Sequence, residues 1–267
     1  MKMDFLPKGF RAEKANGYCE IHGAFEDVAT YLGDVLVGKP HCPVCAQIAE
    51  DKKQAEIAAE CARVDAERER RKIEAILDKS AIPQRYRART FEAFITDGHA
   101  GKENALRFAK AFADNFDENR KLGRGLIFAG FVGTGKTHLA CAILQAVADK
   151  AAGVYTTAHD MGQKVADSWG VKEAGKTTTD VKKVFTSCPV LVIDEVGKPD
   201  RKQVTNEVLS EVIFARYDAL LPTIFITNLE AKDLKTVFEE PELDRLRETC
   251  KCVELKWESH RSQKEVF

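Results

Sequence analysis

The feature that most constrains this chain is a glycine-rich stretch at residues 130–137, GFVGTGKT, which matches the pattern G-x-x-x-x-G-K-[ST] in full. An apolar run at residues 125–129 precedes it and a helical pattern at residues 138–149 follows it, so a strand should enter the loop and a helix should leave it. Glycines let successive backbone N–H groups curve around phosphate oxygens, and a helix N-terminus favours negative charge. The stretch therefore predicts an α/β domain with a phosphate-binding loop.

The loop residues that we expect to contact a nucleotide are Gly130, Gly133, Thr134, Gly135, Lys136 and Thr137. Lys136 should reach the β- and γ-phosphates, and the hydroxyl of Thr137 should ligate Mg²⁺. A second apolar run, residues 190–193, ends in Asp194 and Glu195. Asp194 is placed to hold the Mg²⁺ shell beside Thr137, and Glu195 to orient and deprotonate an attacking water. This Asp-Glu order favours hydrolysis over phosphoryl transfer to a small molecule.

Short apolar runs of strand length alternate with helical patterns along the second half of the chain. They lie at residues 126–129, 154–157, 190–193, 224–227 and 252–255. The segments between the first four are long enough for crossover helices, so we predict a parallel sheet covered on both faces. Asn228 follows the fourth run and should emerge at the same edge as the loop, where it could position the water. An asparagine that merely begins a loop is the alternative.

Composition divides the 267 residues into three predicted parts. Residues 1–45 are loop-rich, residues 46–79 are dense in Ala, Glu, Lys and Arg without Gly or Pro, and residues 80–267 carry the patterns above. The middle part predicts a charged helical linker with a thin apolar stripe, either a solvated spacer or a partner-binding surface.

Charge and hydropathy exclude two classes of protein. A net charge of −1 excludes a uniformly basic nucleic-acid coat protein, although a local basic stripe is still allowed. No apolar run approaches the ~20 residues that span a bilayer, and the first residues lack the apolar core of a signal peptide. We therefore expect a soluble, cytoplasmic protein with no membrane partner.

Three of the eight cysteines cluster near the N-terminus with a histidine. Cys19 with His22, and Cys42 with Cys45, form two C-x-x-[CH] pairs separated by nineteen residues. Each pair can hold one side of a tetrahedral Zn²⁺, and four ligands leave no open position, so we predict a structural zinc on which residues 1–45 depend for folding. Two unrelated thiol pairs are the alternative reading, and His41 is an alternative fourth ligand with a more awkward geometry. The other cysteines, Cys61, Cys141, Cys188, Cys250 and Cys252, are predicted to be small buried thiols.

The ordered motifs GFVGTGKTHLA, VLVIDEVG, IFITNL and LDRLRE followed by WESHRS resemble those of the DnaC-type replicative helicase loaders, a branch of the AAA+ ATPases. The upstream segment IPQRYRARTFEAF resembles the one that precedes the ATPase core in that group. The resemblance covers residues 80–267. It implies an AAA+ P-loop ATPase core with a five-stranded parallel sheet between helices, a truncated lid, and ATP and Mg²⁺ as cofactors. The zinc-binding module is where this sequence departs most from the family.

The resemblance also implies roles for two arginines near the C-terminus. Arg245 matches the arginine finger, which reaches the γ-phosphate held by a neighbouring subunit and implies a homo-oligomer. Without the resemblance, Arg245 would be interpreted as an ordinary charge on a helix surface. Arg261 matches the sensor-2 arginine, which contacts nucleotide within the same subunit.

Loaders of this type also grip single-stranded DNA, and the resemblance points to two segments for that role. Residues 161–169 align with a helical insertion that carries an aromatic, so Trp169 is a candidate for base stacking, with a place in the core as the alternative. The loop after Glu195 lacks the family's hydroxyl-bearing and aromatic DNA contacts. Basic residues there are predicted to contact phosphates instead: Lys198, Arg201 and Lys202.

The leading hypothesis is an ATP hydrolase that binds a replicative helicase and helps to load it onto single-stranded DNA, with ATP as the switch. In the family the N-terminal part binds the helicase, so the zinc module and the charged helix are the candidates here. The first alternative is an IstB-like transposition helper ATPase, which shares the core but acts on a transposase and duplex DNA. A zinc-containing adaptor that binds ATP without useful hydrolysis and a small-molecule kinase are weaker alternatives.

Overall fold

The computed structural model describes residues 9–169, 177–197 and 203–260. The chain forms two compact units, Met1–Arg70 and Arg71–Phe267. Four candidate residues lie outside the described residues, and their predicted roles stay predictions: Lys198, Arg201, Lys202 and Arg261.

The first unit contains a small antiparallel sheet of three strands in the order β1-β2-β3. Strands β1 (Phe10–Cys19) and β2 (Gly23–Leu32) pair along their whole length as a hairpin, and the short β3 (Val35–Gly38) adds to β2. The loop-rich character predicted for residues 1–45 is therefore wrong over most of this range. The strands have little apolar alternation, because Ala29 is their only buried residue, so the usual periodic signal is absent.

A long helix, α1 (Pro43–Lys79), follows the small sheet. It starts three residues before the predicted position, at a proline, which suits the first helical position because its missing N–H would have no intrahelical partner. Ile57 and Val64 are 54% and 56% exposed, which agrees with a mostly solvated helix. Cys61 is exposed too, so the prediction of a buried thiol is wrong there. The division between the two units falls inside α1, and the predicted boundaries at residues 45 and 79 stay predictions.

The second unit is built on a parallel sheet in the order β5-β6-β7-β4-β8. Its strands contain all five predicted runs: β4 (Gly125–Gly130), β5 (Gly153–Thr157), β6 (Val190–Val196), β7 (Thr223–Thr227) and β8 (Cys250–Leu255). Every pairing in this sheet is parallel, so the carboxyl ends of the strands meet at one edge. The predicted fold class, a five-stranded parallel sheet between helices, is confirmed.

Helices cover both faces of this sheet. Successive residues of a strand point to opposite faces, so apolar strands supply side chains to a cluster on each side. Phe128 faces one apolar cluster, which is built with α2 (Ala100–Asp114) and α4 (Lys136–Ala146). Its neighbour Ile127 faces the other cluster, which is built with α5 (Ala158–Asp167), α7 (Gln203–Asp218) and α8 (Glu240–Thr249). The unit also contains α3 (Phe116–Lys121), α6 (Thr178–Ser187) and two short 3-10 helices, Gln84–Tyr86 and Ala231–Thr236.

Within the part of the chain that the structure describes, no helix has both the length and the apolarity needed to cross a membrane.

Candidate nucleotide-binding site and Cys/His cluster

The loop between β4 and α4 has a backbone that requires glycine at several positions. Gly130, Gly133 and Gly135 have φ angles of +120°, +78° and +96°, a region that side chains with a Cβ rarely adopt. A Cβ at Gly133 would also lie 1.9 Å from the Oγ of Ser259, and one at Gly135 would lie 2.7 Å from the ring of Phe94. The loop therefore keeps its shape both through backbone conformation and through tight packing from outside.

The side chains of the loop fold back on its own carbonyls. Lys136 is 5% exposed, and its Nζ donates to the carbonyl oxygens of Gly130 at 2.9 Å and Phe131 at 2.6 Å. The Thr134 hydroxyl donates to the Phe131 carbonyl at 2.8 Å. The ammonium group is thus held against the loop that would wrap a phosphate chain.

A buried carboxylate lies next to this loop and receives three hydrogen bonds. Asp194 is 7% exposed, and its Oδ2 accepts from the hydroxyls of Thr137 and Tyr155, both at 2.8 Å. Its Oδ1 accepts from the backbone N–H of Glu195 at 2.6 Å. The structure therefore brings together Thr137 and Asp194, the two predicted metal ligands. A carboxylate and a hydroxyl are oxygen donors of the kind that Mg²⁺ prefers, so these residues fit that ion.

Glu195 is aimed by an irregularity in its strand. The pairing of β6 with β7 shifts register between Ile193 and Val196, and Glu195 inside this bulge has a φ of +58°. Bulges redirect side chains near active sites, and left-handed backbone at a residue with a Cβ is strain that the surrounding structure must hold. As a result Glu195 lines the same cleft as Lys136 instead of continuing the alternation of the strand.

The cleft at the carboxyl edge of the sheet has a volume of about 600 Å³. It is lined by the predicted residues of the loop and by the ends of β6 and β7: Lys136, Thr137, Asp194, Glu195 and Asn228. Residues of the segment before α2, including Ala81, Pro83 and Tyr86, line its other side. The arrangement matches the expectation that all these groups emerge at one edge, and it can accommodate a nucleotide with its phosphates at the loop.

The segment after β8 supports the loop from outside, a role that none of the sequence motifs indicates. Trp257 is buried, and its Nε1 donates to the Thr134 carbonyl at 3.1 Å. The backbone N–H of His260 donates to the Gly133 carbonyl at 3.0 Å. His260 also lines the cleft. No sequence pattern predicts these contacts, because 123 positions separate Trp257 from Thr134.

Two further residues of the cleft, Tyr155 and His138, were not predicted from the sequence as part of the site. Burial, and then the charge of Asp194, raises the pKa of the Tyr155 hydroxyl above its ordinary value. Burial lowers the pKa of His138, whose ring lies 2.7 Å from the Thr90 carbonyl and edge-on to Phe94. A tyrosine inside a strand carries no signal of a polar contact until the neighbouring strand is known.

Arg245 lies away from the cleft of its own chain. Its Nη1 donates to the Pro241 carbonyl at 2.9 Å, and the guanidinium lies over the rings of Phe214 and Tyr217, with 4.5 and 5.2 Å to the ring centroids. Arg247, two positions further, is exposed and pairs with Glu240 at 2.6 Å. Arg245 is therefore held in a defined position on α7 and α8, separate from Lys136 and Glu195.

Trp169, the candidate for base stacking, lies just past α5 and is 54% exposed. Its backbone N–H donates to the Ala166 carbonyl, so the chain still turns helically there. The exposure excludes a place in the apolar core, which was the alternative interpretation.

The four predicted zinc ligands also come together in the structure. The Sγ atoms of Cys19, Cys42 and Cys45 and the Nδ1 of His22 all lie within 4.8 Å of one another. Nδ1 of His22 is 3.7, 3.6 and 3.2 Å from the three sulfurs, and the sulfurs of Cys19 and Cys45 are 3.7 Å apart. Ligand atoms in a tetrahedral zinc site with bonds of about 2.0–2.3 Å lie roughly 3.5–3.8 Å apart. The cluster therefore has the composition and spacing of a structural zinc site.

Hydrogen bonds at the cluster give the thiols of Cys19 and Cys45 different pKa values. Hydrogen bonds from the backbone N–H groups of His22 and Ile21 lower the pKa of Cys19 to about 6. The hydrogen bond with Cys19 raises the pKa of Cys45 to about 11. His41 takes no part in this group, and its backbone N–H donates to Asp27 at 2.7 Å. The geometry thus favours His22 over His41 as the fourth ligand.

Comparison with known protein families gives a match over most of the chain. The family model of the IstB-like ATP binding proteins matches residues 53–266. The chain belongs to this family. The Cys/His cluster lies before the matched region, so family membership rests on the second unit and the helix that leads to it.

Curated relatives of this family member include replicative helicase loaders. The replicative helicase loader DnaC of Escherichia coli K12 is 27% identical over 201 residues, which are 74% of this chain and 80% of that protein. The loader DnaC of Buchnera aphidicola from Schizaphis graminum is 27% identical over 193 residues, 71% of this chain and 76% of the relative. An uncharacterized protein, YdaV of E. coli K12, is 25% identical over 217 residues, 80% of this chain and 82% of YdaV.

Solved structures give the same result for the fold. The DnaC helicase loader superposes with a TM-score of 0.57 and 28% identity, covering 65% of this chain and all of that one. DnaI has a TM-score of 0.56 at 21% identity, covering 68% of this chain and 95% of DnaI. DnaA of Aquifex aeolicus has a TM-score of 0.54 at 22% identity, covering 68% of this chain and 53% of DnaA. This IstB-like protein therefore has the AAA+ ATPase fold and is related to replication proteins.

Proposed function

We propose that this protein is a Mg²⁺-dependent ATP hydrolase that binds a replicative helicase and helps to load it onto single-stranded DNA, with ATP as the switch. The observation that carries the proposal is that a complete phosphate-binding loop lies beside the Thr137–Asp194 pair and Glu195, in a chain whose curated relatives include proteins named replicative helicase loaders.

Each group in the cleft has a role in this hydrolysis. Lys136 would exchange its carbonyl acceptors for the β- and γ-phosphate oxygens, with which its charge interacts more strongly. Thr137 and Asp194 would hold Mg²⁺, which supplies positive charge against the phosphate oxygens. Glu195 would accept the proton of the attacking water, and Asn228 would orient that water from the neighbouring strand end.

Arg245 would complete the site of a neighbouring subunit as an arginine finger. Its separation from the cleft of its own chain supports a role between subunits, because an arginine finger must reach the γ-phosphate of another protomer. The aromatic rings of Phe214 and Tyr217 would keep its planar side chain extended and lower the entropy lost when it reaches the phosphate. Arg261, by the same resemblance, would contact nucleotide within the subunit.

The N-terminal unit would provide the contact with the helicase. Several of its apolar side chains are exposed, including Tyr18 at 78%, Ile21 at 80% and Val35 at 65%. Exposed apolar groups concentrated in one small unit are typical of a surface that binds another protein. A zinc ion on the Cys/His cluster would hold β1 and the start of α1 together and so give that surface a fixed shape.

Single-stranded DNA would be bound by the exposed ring of Trp169 and by Lys198, Arg201 and Lys202. A half-exposed tryptophan offers a flat surface on which a base can stack, which contributes about 1–3 kcal/mol per base. The three basic residues would add attraction to phosphates that weakens as salt rises.

The proposal is tested with the full-length protein and the purified replicative helicase of the same organism. We expect the two to form a complex, and the complex to place the helicase on circular single-stranded DNA faster with ATP than without nucleotide. Arg245→Ala should lower ATP turnover about a thousandfold while leaving oligomers intact, and Arg247→Ala is the matched control on the same helix. Absence of the helicase complex, or unchanged turnover after Arg245→Ala, would contradict the proposal.

The second candidate function is that of a transposition helper, which the matching IstB-like family model favours. In that case the same preparation would bind a transposase and duplex DNA in an ATP-dependent manner, and would not associate with the helicase. Parallel binding assays with both proteins and both forms of DNA separate the two functions.

A further inference from the structure

Among the described residues, Tyr155 is the one hydrogen-bond donor to Asp194 that belongs to none of the sequence motifs. Its side chain is 8% exposed, and its hydroxyl donates to Oδ2 of Asp194 at 2.8 Å. In the pairing of β5 with β6, Tyr155 lies opposite Val192, and the phenol therefore reaches two positions along β6, on the same face of the sheet, to Asp194. Tyr155 and Thr137 therefore donate to the same carboxylate oxygen, Oδ2 of Asp194.

The backbone of Tyr155 is fixed as well. Its N–H donates to the carbonyl of Ser80 at 2.7 Å, and Ser80 is 2% exposed. The next residue, Ala81, has a φ of +58° and lines the nucleotide cleft. Tyr155 therefore connects the segment on one side of the cleft with the carboxylate at its base, through two hydrogen bonds made by a single buried residue.

The hydroxyls of Thr137 and Tyr155, which both donate to Asp194, would have different roles when a metal ion binds. Thr137 is a predicted ligand, so a lone pair of its hydroxyl oxygen would face Mg²⁺, and its O–H could donate to Asp194 only in the orientations that this ligation allows. Tyr155 is not a predicted ligand and can keep donating.

We propose that Tyr155 is a positioning residue for the metal site, whose hydroxyl holds the Asp194 carboxylate in the orientation that receives a divalent cation beside Thr137. The inference rests on the proposed function for the identity of the cation and of the nucleotide that carries it. Tyr155 would act through Asp194, as residues that hydrogen-bond to metal ligands commonly do. Removal of such a residue typically lowers metal affinity by about 10–100-fold.

The experiment measures the equilibrium affinity of the full-length protein for a fluorescent ATP analogue, once with saturating Mg²⁺ and once with EDTA. The ratio of the two affinities reports the contribution of the metal and does not depend on turnover. In Tyr155→Phe we expect this ratio to fall about tenfold, with the affinity in EDTA unchanged. Tyr31→Phe removes a hydroxyl from the N-terminal unit and is the matched control, with no expected change.

A double-mutant cycle tests whether Tyr155 acts through Asp194. In the Asp194→Asn background, Tyr155→Phe should no longer change the ratio, because the carboxylate that it orients is gone. An equal loss of affinity with and without Mg²⁺ would overturn the inference in favour of a purely structural role, and so would an unchanged ratio. Normal Mg²⁺ dependence in a protein that binds no helicase would overturn the proposed function alone.

Discussion

The nucleotide cleft and the Cys/His cluster both join residues that are distant in the sequence, but they are supported in different ways. Thr137 and Asp194 are 57 positions apart and meet because each lies at the end of a buried element. Cys19 and Cys45 are 26 positions apart and meet in a unit whose described residues include only two buried ones, Ala29 and Cys42. The cleft is therefore organised by a core around it, whereas the cluster lies in a unit with almost no buried core in its described residues.

This difference shows how much each site should depend on its ion. A parallel sheet holds the carboxylate and hydroxyl of the cleft whether or not a metal binds, so the metal adds to a site that already exists. The four ligands of the cluster lie in a unit with few buried apolar residues. A unit of that size rarely folds without a disulfide, a bound metal or a similar cross-link.

Loss of a zinc ligand should have the largest effect, and it should be confined to the N-terminal unit. Structural zinc in small fingers contributes on the order of 10–16 kcal/mol of apparent binding free energy. We expect Cys42→Ser, or a zinc chelator, to unfold residues 9–45, as seen by loss of protection from proteases. Cys61→Ser, at an exposed cysteine of α1 outside the cluster, should have no such effect. Loss of ATP binding in Cys42→Ser would contradict the expectation that the effect is confined to the N-terminal unit.

Gly133→Ala should lower the affinity of the cleft for ATP without unfolding the second unit. The new Cβ would meet Ser259 Oγ at 1.9 Å, and φ at this position is +78°, so the loop must shift. Strain of about 1–3 kcal/mol predicts a loss of ATP affinity of at least about tenfold, measured by equilibrium titration. Gly98→Ala is the control, since Gly98 has a φ of +70° with nothing near its Cβ position. Ser259→Gly combined with Gly133→Ala should restore part of the affinity.

Trp257→Phe should have a smaller effect on the same loop. It keeps most of the buried ring but removes the hydrogen bond from Nε1 to the Thr134 carbonyl. We expect the free energy of unfolding to fall by about 1–2 kcal/mol, measured by urea denaturation, because a buried carbonyl loses its donor. Trp169→Phe, at the exposed tryptophan, should change it by less than about 0.5 kcal/mol. Equal effects at the two positions would contradict the supporting role of residues 255–260.

The smallest expected effect is a dependence on pH that comes from His138. Burial lowers its pKa in the folded protein below the unfolded value of 6.5, so the unfolded chain binds the proton more readily. The stability that this histidine contributes is present above pH 6.5 and is lost as the pH falls below it. His138→Gln should flatten the stability of the second unit between pH 7 and 5.5, measured by thermal unfolding. A slope that is identical in the variant would assign the dependence to other groups.

The strongest local patterns predicted the second unit well. The five apolar runs, the glycine-rich loop and the Asp-Glu pair predicted the sheet and its functional edge, because parallel strands necessarily present their carboxyl ends together. The three-stranded sheet of the first unit was missed, since its strands are paired through backbone hydrogen bonds and bury almost no side chains. Hydrophobic periodicity cannot report a sheet that has no buried face.

The chemical groups and their order can be identified from the amino-acid sequence: the residues of the loop, Asp194 with Glu195, Asn228, and the Cys/His pattern with its spacing. The residues that support these groups can be identified only in the folded protein. The donation of Tyr155 to Asp194, the bulge that turns Glu195 into the cleft and the packing of Trp257 under the loop all join elements across strand pairings or chain reversals. Local composition fixes what each segment can do chemically, but contacts between distant segments depend on how the whole sheet closes its core, and no single segment carries that information.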